Sequence, residues 1–122
     1  MKIIQTTNAP AAIGPYSQGY IAGNFVYTSG QIPVDPATGE VPEGITAQAE
    51  RSCRNVGAVL EAGGASFAQV FKTTCFLADM ADFAAFNAVY EQFFLSKPAR
   101  SCVAVKALPK GVLCEIEAIA EL

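Results

Sequence analysis

The run Gln69-Val70-Phe71-Lys72-Thr73-Thr74-Cys75-Phe76-Leu77-Ala78 leaves little choice of architecture. Its β-branched and aromatic residues read as a long strand. Alternate residues of a strand point to opposite sides of a sheet, and here both sets are largely apolar or threonine. Such a strand needs cover on both faces. The rest of the chain therefore has to supply neighbouring strands and at least one layer packed against them.

The flanking patterns do so. Met1 to Gln5, Tyr16 to Ala22 and Phe25 to Ser29 read as strands, the last two joined at Gly23-Asn24, which tolerate the positive φ of a hairpin turn. Gln31 to Gly44 is a long loop rich in proline and glycine, and loops of that length are usually functional or interfacial. A helix is expected from Thr46, as its cap, to about Ala62. Ile45, Ala49, Cys53, Val56 and Leu60 form its apolar face, and Gly63-Gly64 ends it. A second helix is expected from Asp82, as its cap, to about Leu95, with Phe83, Phe86, Tyr90 and Phe93 or Phe94 on one face; Asn87 lies near that face, either orienting something in a site or simply standing at its edge. Ser101 to Leu108 and Val112 to Glu121 read as two last strands, paired antiparallel through Pro109-Lys110-Gly111. The order implies one α+β domain over residues 1–122, a mostly antiparallel sheet with two helices on one face.

Composition bears on the other face. Hydrophobic residues make up 52% of the chain and charged ones 16%, more apolar than a small domain needs alone. Oligomerisation through the uncovered sheet face accounts for the excess, because obligate interfaces resemble a core cut in half. The net charge of −3 and the lack of a Lys/Arg block argue against nucleic acid as partner. No apolar run reaches membrane-spanning length and the amino-terminal apolar stretch is too short for a signal peptide, so a soluble, cytoplasmic protein is expected. Cys53, Cys75, Cys102 and Cys114 are scattered and read as reduced thiols rather than disulfides or zinc ligands.

Histidine is absent, which removes every Ser-His and Cys-His mechanism. Acid–base work then falls to a carboxylate, tyrosine, cysteine, lysine or water. Arg100 stands where a strand begins, just after Pro98-Ala99. It is either a clamp for a small carboxylic acid, since its fork matches a carboxylate, or one half of a surface ion pair. Cys102 lies on the same strand face, about 6–7 Å along, and reads as a wall of such a site rather than a nucleophile, which would need the thiolate. Glu115 and Glu117 share one face of the last strand, and their proximity raises at least one pKa unless both simply face solvent. Ser29-Gly30-Gln31 allows close approach to backbone groups, and Tyr16 offers a hydroxyl.

These segments together carry a resemblance. Asn8-Ala9-Pro10 with Gly14-Pro15-Tyr16-Ser17-Gln18, then Thr28-Ser29-Gly30-Gln31-Ile32-Pro33, Pro98-Ala99-Arg100-Ser101-Cys102-Val103 and Glu115-Ile116-Glu117-Ala118-Ile119-Ala120 resemble the reactive intermediate deaminase (RidA/YjgF) family in order and over essentially the whole chain. The resemblance implies a chorismate-mutase-like fold, homotrimers whose sheets close a central barrel, and sites in clefts between subunits. It implies hydrolysis of 2-imino or enamine acids to 2-keto acids and ammonia, with no metal or cofactor. By position, Arg100 binds the substrate carboxylate, Glu115 deprotonates the attacking water with Glu117 ranked second, and Cys102 lines the pocket. Tyr16, Ser29, Gly30 and Gln31 complete the cleft, from a subunit other than the one giving Arg100. Phe94 to Pro98 is shorter than the family pattern expects. Two other readings are a non-catalytic trimer that binds small keto or amino acids and an RNA-acting relative.

Overall fold

The computed structural model describes residues 1–122. Three short strands, β1 (Lys2–Ile4), β2 (Gly19–Ala22) and β3 (Phe25–Thr28), precede the helix α1 (Ile45–Ala62). Then follow β4 (Val70–Leu77), the helix α2 (Phe83–Phe93), β5 (Ala99–Ala104) and β6 (Cys114–Glu121). The six strands form one sheet in the order β1-β2-β3-β6-β4-β5. Only β4 and β5 pair in parallel. Parallel neighbours need a crossover, and α2 provides it. Neither helix is long and apolar enough to cross a membrane.

The expected hairpin between the last two strands does not form. β6 inserts between β3 and β4, and β5 is left at the edge against β4. Burial explains the choice. Cys114, Ile116, Ala118 and Ala120 are all buried on one face of β6, so that strand belongs at the centre. β5 has no buried residue and suits an edge. Pro109–Gly111 is a 3₁₀ turn within the connection that carries the chain back from edge to centre.

Both helices lie on one face of the sheet. α1 buries Ala49, Cys53, Val56, Val59 and Leu60, and α2 buries Phe86, Val89 and Tyr90. They enclose a core with Val26, Cys75, Leu77, Cys114, Ile116 and Ala118 from the strands. Burial pushes the Cys75 and Cys114 thiols up to about 12 and about 11, so both stay protonated at neutral pH. All four cysteines are free.

Helix α2 starts behind Asp82 as expected, but neither expected capping side chain makes a cap hydrogen bond. Thr46 does not cap α1: the helix begins one residue earlier, behind Gly44 at φ 85°, with no side-chain cap. Asp82 does not cap α2 through its side chain, because Met80–Asp82 already form a 3₁₀ turn whose cap is Asp79, accepting from the Ala81 N–H at 2.8 Å. Residues 16–18 do not join β2. The Gln18 amide instead turns into the proline loop, donating to Thr6 and Pro10 carbonyls at 3.0 and 2.8 Å and accepting from the Thr6 N–H at 2.8 Å. The loop after β3 is held similarly. Asn55 on α1 donates to the Ile32 and Val34 carbonyls at 3.0 and 2.9 Å. Buried amides thus satisfy loop backbone that no ladder reaches.

The sheet face away from the helices carries apolar and aromatic side chains. Register aligns Ala99, Lys72, Ile119, Tyr27, Tyr20 and Ile3 in one row across it. Ile3, Tyr20, Tyr27, Phe71 and Val103 are exposed. β4 is thus covered by helices on one side only within the chain, although its composition suits cover on both.

Candidate active site

Sheet geometry sorts the candidate residues into two groups. Arg100 pairs with Thr73, and Cys102 with Cys75, so both share the helix-facing side with those buried residues. Glu115 pairs with Phe76, and Glu117 with Thr74, so both carboxylates point to the open face. β4 separates β5 from β6, which puts the two strands about 10 Å apart. A single chain therefore does not bring Arg100 and Glu115 onto one small substrate.

Around the arginine, α2 builds a seat. The Arg100 guanidinium lies 4.7 Å from the centroid of the Tyr90 ring and 5.6 Å from that of Phe83. Such stacking favours a cation over an aromatic face. Its Nη1 donates to Asn87 Oδ1 at 2.8 Å. Phe83, Asn87 and Tyr90 are spaced four and three apart, hence on one side of the helix. Tyr90 is fixed in turn by the Thr73 hydroxyl at 2.6 Å and by stacking on Phe94 at 4.4 Å. Arg100 has no acidic partner: the chain's one ion pair is Glu50–Arg54 on α1. The surface-ion-pair reading of Arg100 is thereby removed within the chain. A groove of about 430 Å³ opens beside it, lined by Asn87, Tyr90, Glu91, Leu95, Pro98 and Arg100 among others.

The short lead-in to the arginine is well fixed. Ser96 donates its hydroxyl to the Val70 carbonyl at 2.7 Å, and Lys97 turns the chain at φ 52°. Pro98 and β5 follow at once. Cys102 is half-buried, and desolvation raises its pKa, with Arg100 opposing in part. It is a thiol at neutral pH, as suits a pocket wall.

The second group gathers at the end of β3. Gln31 exchanges backbone hydrogen bonds with Ile116, at 2.7 and 3.2 Å, which extends the sheet past Thr28 and lays Ser29-Gly30-Gln31 alongside Glu115. Gly30 touches the Glu115 side chain so closely that a Cβ there would collide with the carboxylate. The glycine is required for space, since its φ is not in the left-handed region. Desolvation, and secondarily the Glu117 charge, raises the Glu115 pKa. The Ser29 hydroxyl donates to the Ser17 carbonyl, which ties the Tyr16-Ser17 segment to this corner. The Tyr16 side chain itself is exposed. The Thr73–Tyr90 pair, and the partner that Asn87 holds, emerge only from the fold. Their one trace in the sequence is the shared helical face of Phe83, Asn87 and Tyr90.

The chain is similar throughout to known proteins. The Endoribonuclease L-PSP family model matches residues 6–122. The 2-iminobutanoate/2-iminopropanoate deaminase of Escherichia coli is 57% identical over 98% of this chain and 96% of its own length. A RutC family protein of Pasteurella multocida is 58% identical over 98% of this chain and 96% of its own. Among solved structures, Escherichia coli TdcF with bound serine superposes with a TM-score of 0.97 at 52% identity, covering 100% of this chain and 99% of that one.

Proposed function

The chain belongs to the Endoribonuclease L-PSP family, and on that footing we propose that it is an imine deaminase. Its reaction is hydrolysis of 2-imino or enamine acids, such as 2-iminobutanoate and 2-iminopropanoate, to 2-keto acids and ammonia. The observation that carries this reading is Arg100, a guanidinium seated on an aromatic ring and an amide with no acid to neutralise it. Such a group accepts a small carboxylate through two parallel N–H donors. The names of relatives at about 57% identity supply the reaction class. Serine bound to TdcF fits a small carboxylate-bearing ligand.

The reacting partner is Glu115. A protonated imine carbon is already electrophilic, so one aimed water and one base suffice. Glu115 accepts a proton as the water oxygen bonds to C2, giving a carbinolamine. It returns that proton to the nitrogen; as the C–N bond breaks and ammonia leaves, the carbinol hydroxyl passes its proton to the freed Glu115 carboxylate and on to solvent, leaving the keto acid. A pKa raised by desolvation suits a carboxylate that must both take and give a proton near neutral pH. Gly30 and Gln31 border the water, Ser29 and Tyr16 rim the cleft, and Cys102 walls the substrate side.

Because Arg100 and Glu115 project from opposite faces of one sheet, the complete site needs two chains. We assign the exposed row from Ile3 to Ala99 to a homotrimeric interface, in which Arg100 of one subunit meets Glu115 of the next. An RNA-cleaving role finds less support. Arg51 is engaged with Asn55 and Arg54 with Glu50 and Phe93, and the chain carries net charge −3. The test generates 2-aminoacrylate or 2-aminocrotonate in situ and traps surviving imine with semicarbazide. Acceleration of imine loss by the wild-type protein, absent in Arg100→Ala and Glu115→Ala, is expected. Equal rates with and without protein, or RNA competing with a keto acid for the site, overturn the reading.

A further inference from the structure

We propose that Asn87 is a positioning residue, holding the Arg100 guanidinium through a neutral oxygen so that its whole charge stays available to the substrate. This rests on reading Arg100 as the carboxylate clamp. A guanidinium on a long side chain loses considerable rotamer freedom when it is fixed. In proteins that fixing is often done by an acidic partner, which also cancels the charge. Here it is done without one. Asn87 Oδ1 takes one N–H of Nη1 at 2.8 Å, and the Tyr90 ring supports the guanidinium plane at 4.7 Å. Five N–H donors are present on a guanidinium, so enough remain for a bidentate carboxylate.

The support is itself braced. The Tyr90 hydroxyl and the Thr73 hydroxyl are hydrogen-bonded at 2.6 Å in the core, and Thr73 sits directly opposite Arg100 in the β4–β5 register. The brace and the clamp therefore share one row across the sheet. Phe86 and Phe94 also pack against the Tyr90 ring, with centroids 5.9 and 4.4 Å away, which limits rotation of the ring. The one acid that lines the same groove, Glu91, forms no ion pair with the arginine. The choice of amide over carboxylate at position 87 is thus the feature that keeps the site cationic.

The two side chains closest in size make opposite demands. Aspartate nearly matches asparagine in shape but brings a negative charge, whereas leucine matches in bulk and brings none. If Asn87 served only packing, Asn87→Asp would be the milder change. The inference reverses that order. The measurement is 2-oxobutanoate binding by calorimetry, with KM and kcat from the imine-trapping assay and melting temperature as a control. Asn87→Leu is expected to weaken binding and raise KM by about tenfold, as for loss of one hydrogen bond to a charged group, with kcat much less affected. Asn87→Asp is expected to weaken binding further, by on the order of a hundredfold. Asn87→Ala replaces the leucine variant if that one fails to fold. Asn87→Asp binding as well as or better than Asn87→Leu overturns the inference, as does unchanged binding in both. Arg100→Ala separates the two layers. If it weakens binding while the Asn87 variants do not, only the positioning role fails; if it leaves binding unchanged, the clamp reading fails as well.

Discussion

Replacing Gly30 by alanine should disable catalysis in a protein that folds normally. An ideal Cβ at Gly30 lies 2.8 Å from the Glu115 carboxyl carbon and nearer still to one of its oxygens. Ordinary contact begins near 3.4 Å, so the carboxyl carbon must retreat by roughly 0.6 Å and the oxygen by more. The groups in the way are the far end of a flexible side chain, not backbone. An off-rotamer glutamate costs about 0.5–1.5 kcal/mol. Losing glycine's freedom in the unfolded chain returns about 0.4–1 kcal/mol where the backbone is compatible. The net change in stability is therefore close to zero. Catalysis is less forgiving, since displacing a positioned group by about 1 Å costs on the order of a hundredfold. The expected result in the imine-trapping assay is a fall in kcat of roughly 30- to 100-fold, with a melting temperature near that of the wild type. In a Glu115→Ala background the same substitution should add almost nothing, because the group it displaces is gone. Wild-type turnover in Gly30→Ala, or a full additional loss in the double variant, would refute the reasoning.

Glu115→Gln should raise the melting temperature at neutral pH, because a carboxylate with a raised pKa opposes folding while it is charged. Wild-type Glu115 protonates as pH falls through that raised value, so the gain should shrink toward acid pH; a gain that grows there would contradict the assignment. Over the same range, wild-type turnover should decline with pH as the base is lost. Tyr90→Phe leaves the buried Thr73 hydroxyl unpaired and should cost about 1–3 kcal/mol in urea unfolding. Adding Thr73→Val should recover part of that loss, and a purely additive double variant would rule out the pairing.

Much of the fold was legible in the sequence, because periodicity reports burial. The apolar face of α1 was read at Ile45, Ala49, Cys53, Val56 and Leu60; the last four are buried and Ile45, at the helix start, is partly buried. Strand neighbours were less legible. Ser101 to Leu108 and Val112 to Glu121 are consecutive, and a short turn between strands invites a hairpin. What decides otherwise is tertiary: β6 buries every second residue from Cys114 to Ala120, and β5 buries none. The caps were read in part: Thr46 lies inside α1, which starts behind Gly44, whereas Asp82 does stand at the N-cap of α2 but makes no side-chain cap there because a 3₁₀ turn precedes it.

At the site, the Gly30–Glu115 contact links segments 85 positions apart, and the motifs on either side marked both residues without revealing the contact. Asn87 was read as an edge-of-face residue because α2 alone does not show what packs over it. Only the parallel β4–β5 pairing carries Arg100 beneath that edge. The opposite orientation of Arg100 and Glu115 likewise depends on β4 lying between their strands, which no local pattern encodes.

Subunit complementation addresses the two-chain site most directly. Arg100→Ala and Glu115→Gln proteins, each inactive alone, are mixed in equal amounts, unfolded and refolded together, and assayed for imine hydrolysis. If each site takes its arginine from one chain and its glutamate from the next, about one quarter of the sites regain both groups and activity returns to about that share of wild type. If the mixture stays as inactive as its components, a site shared between chains is wrong.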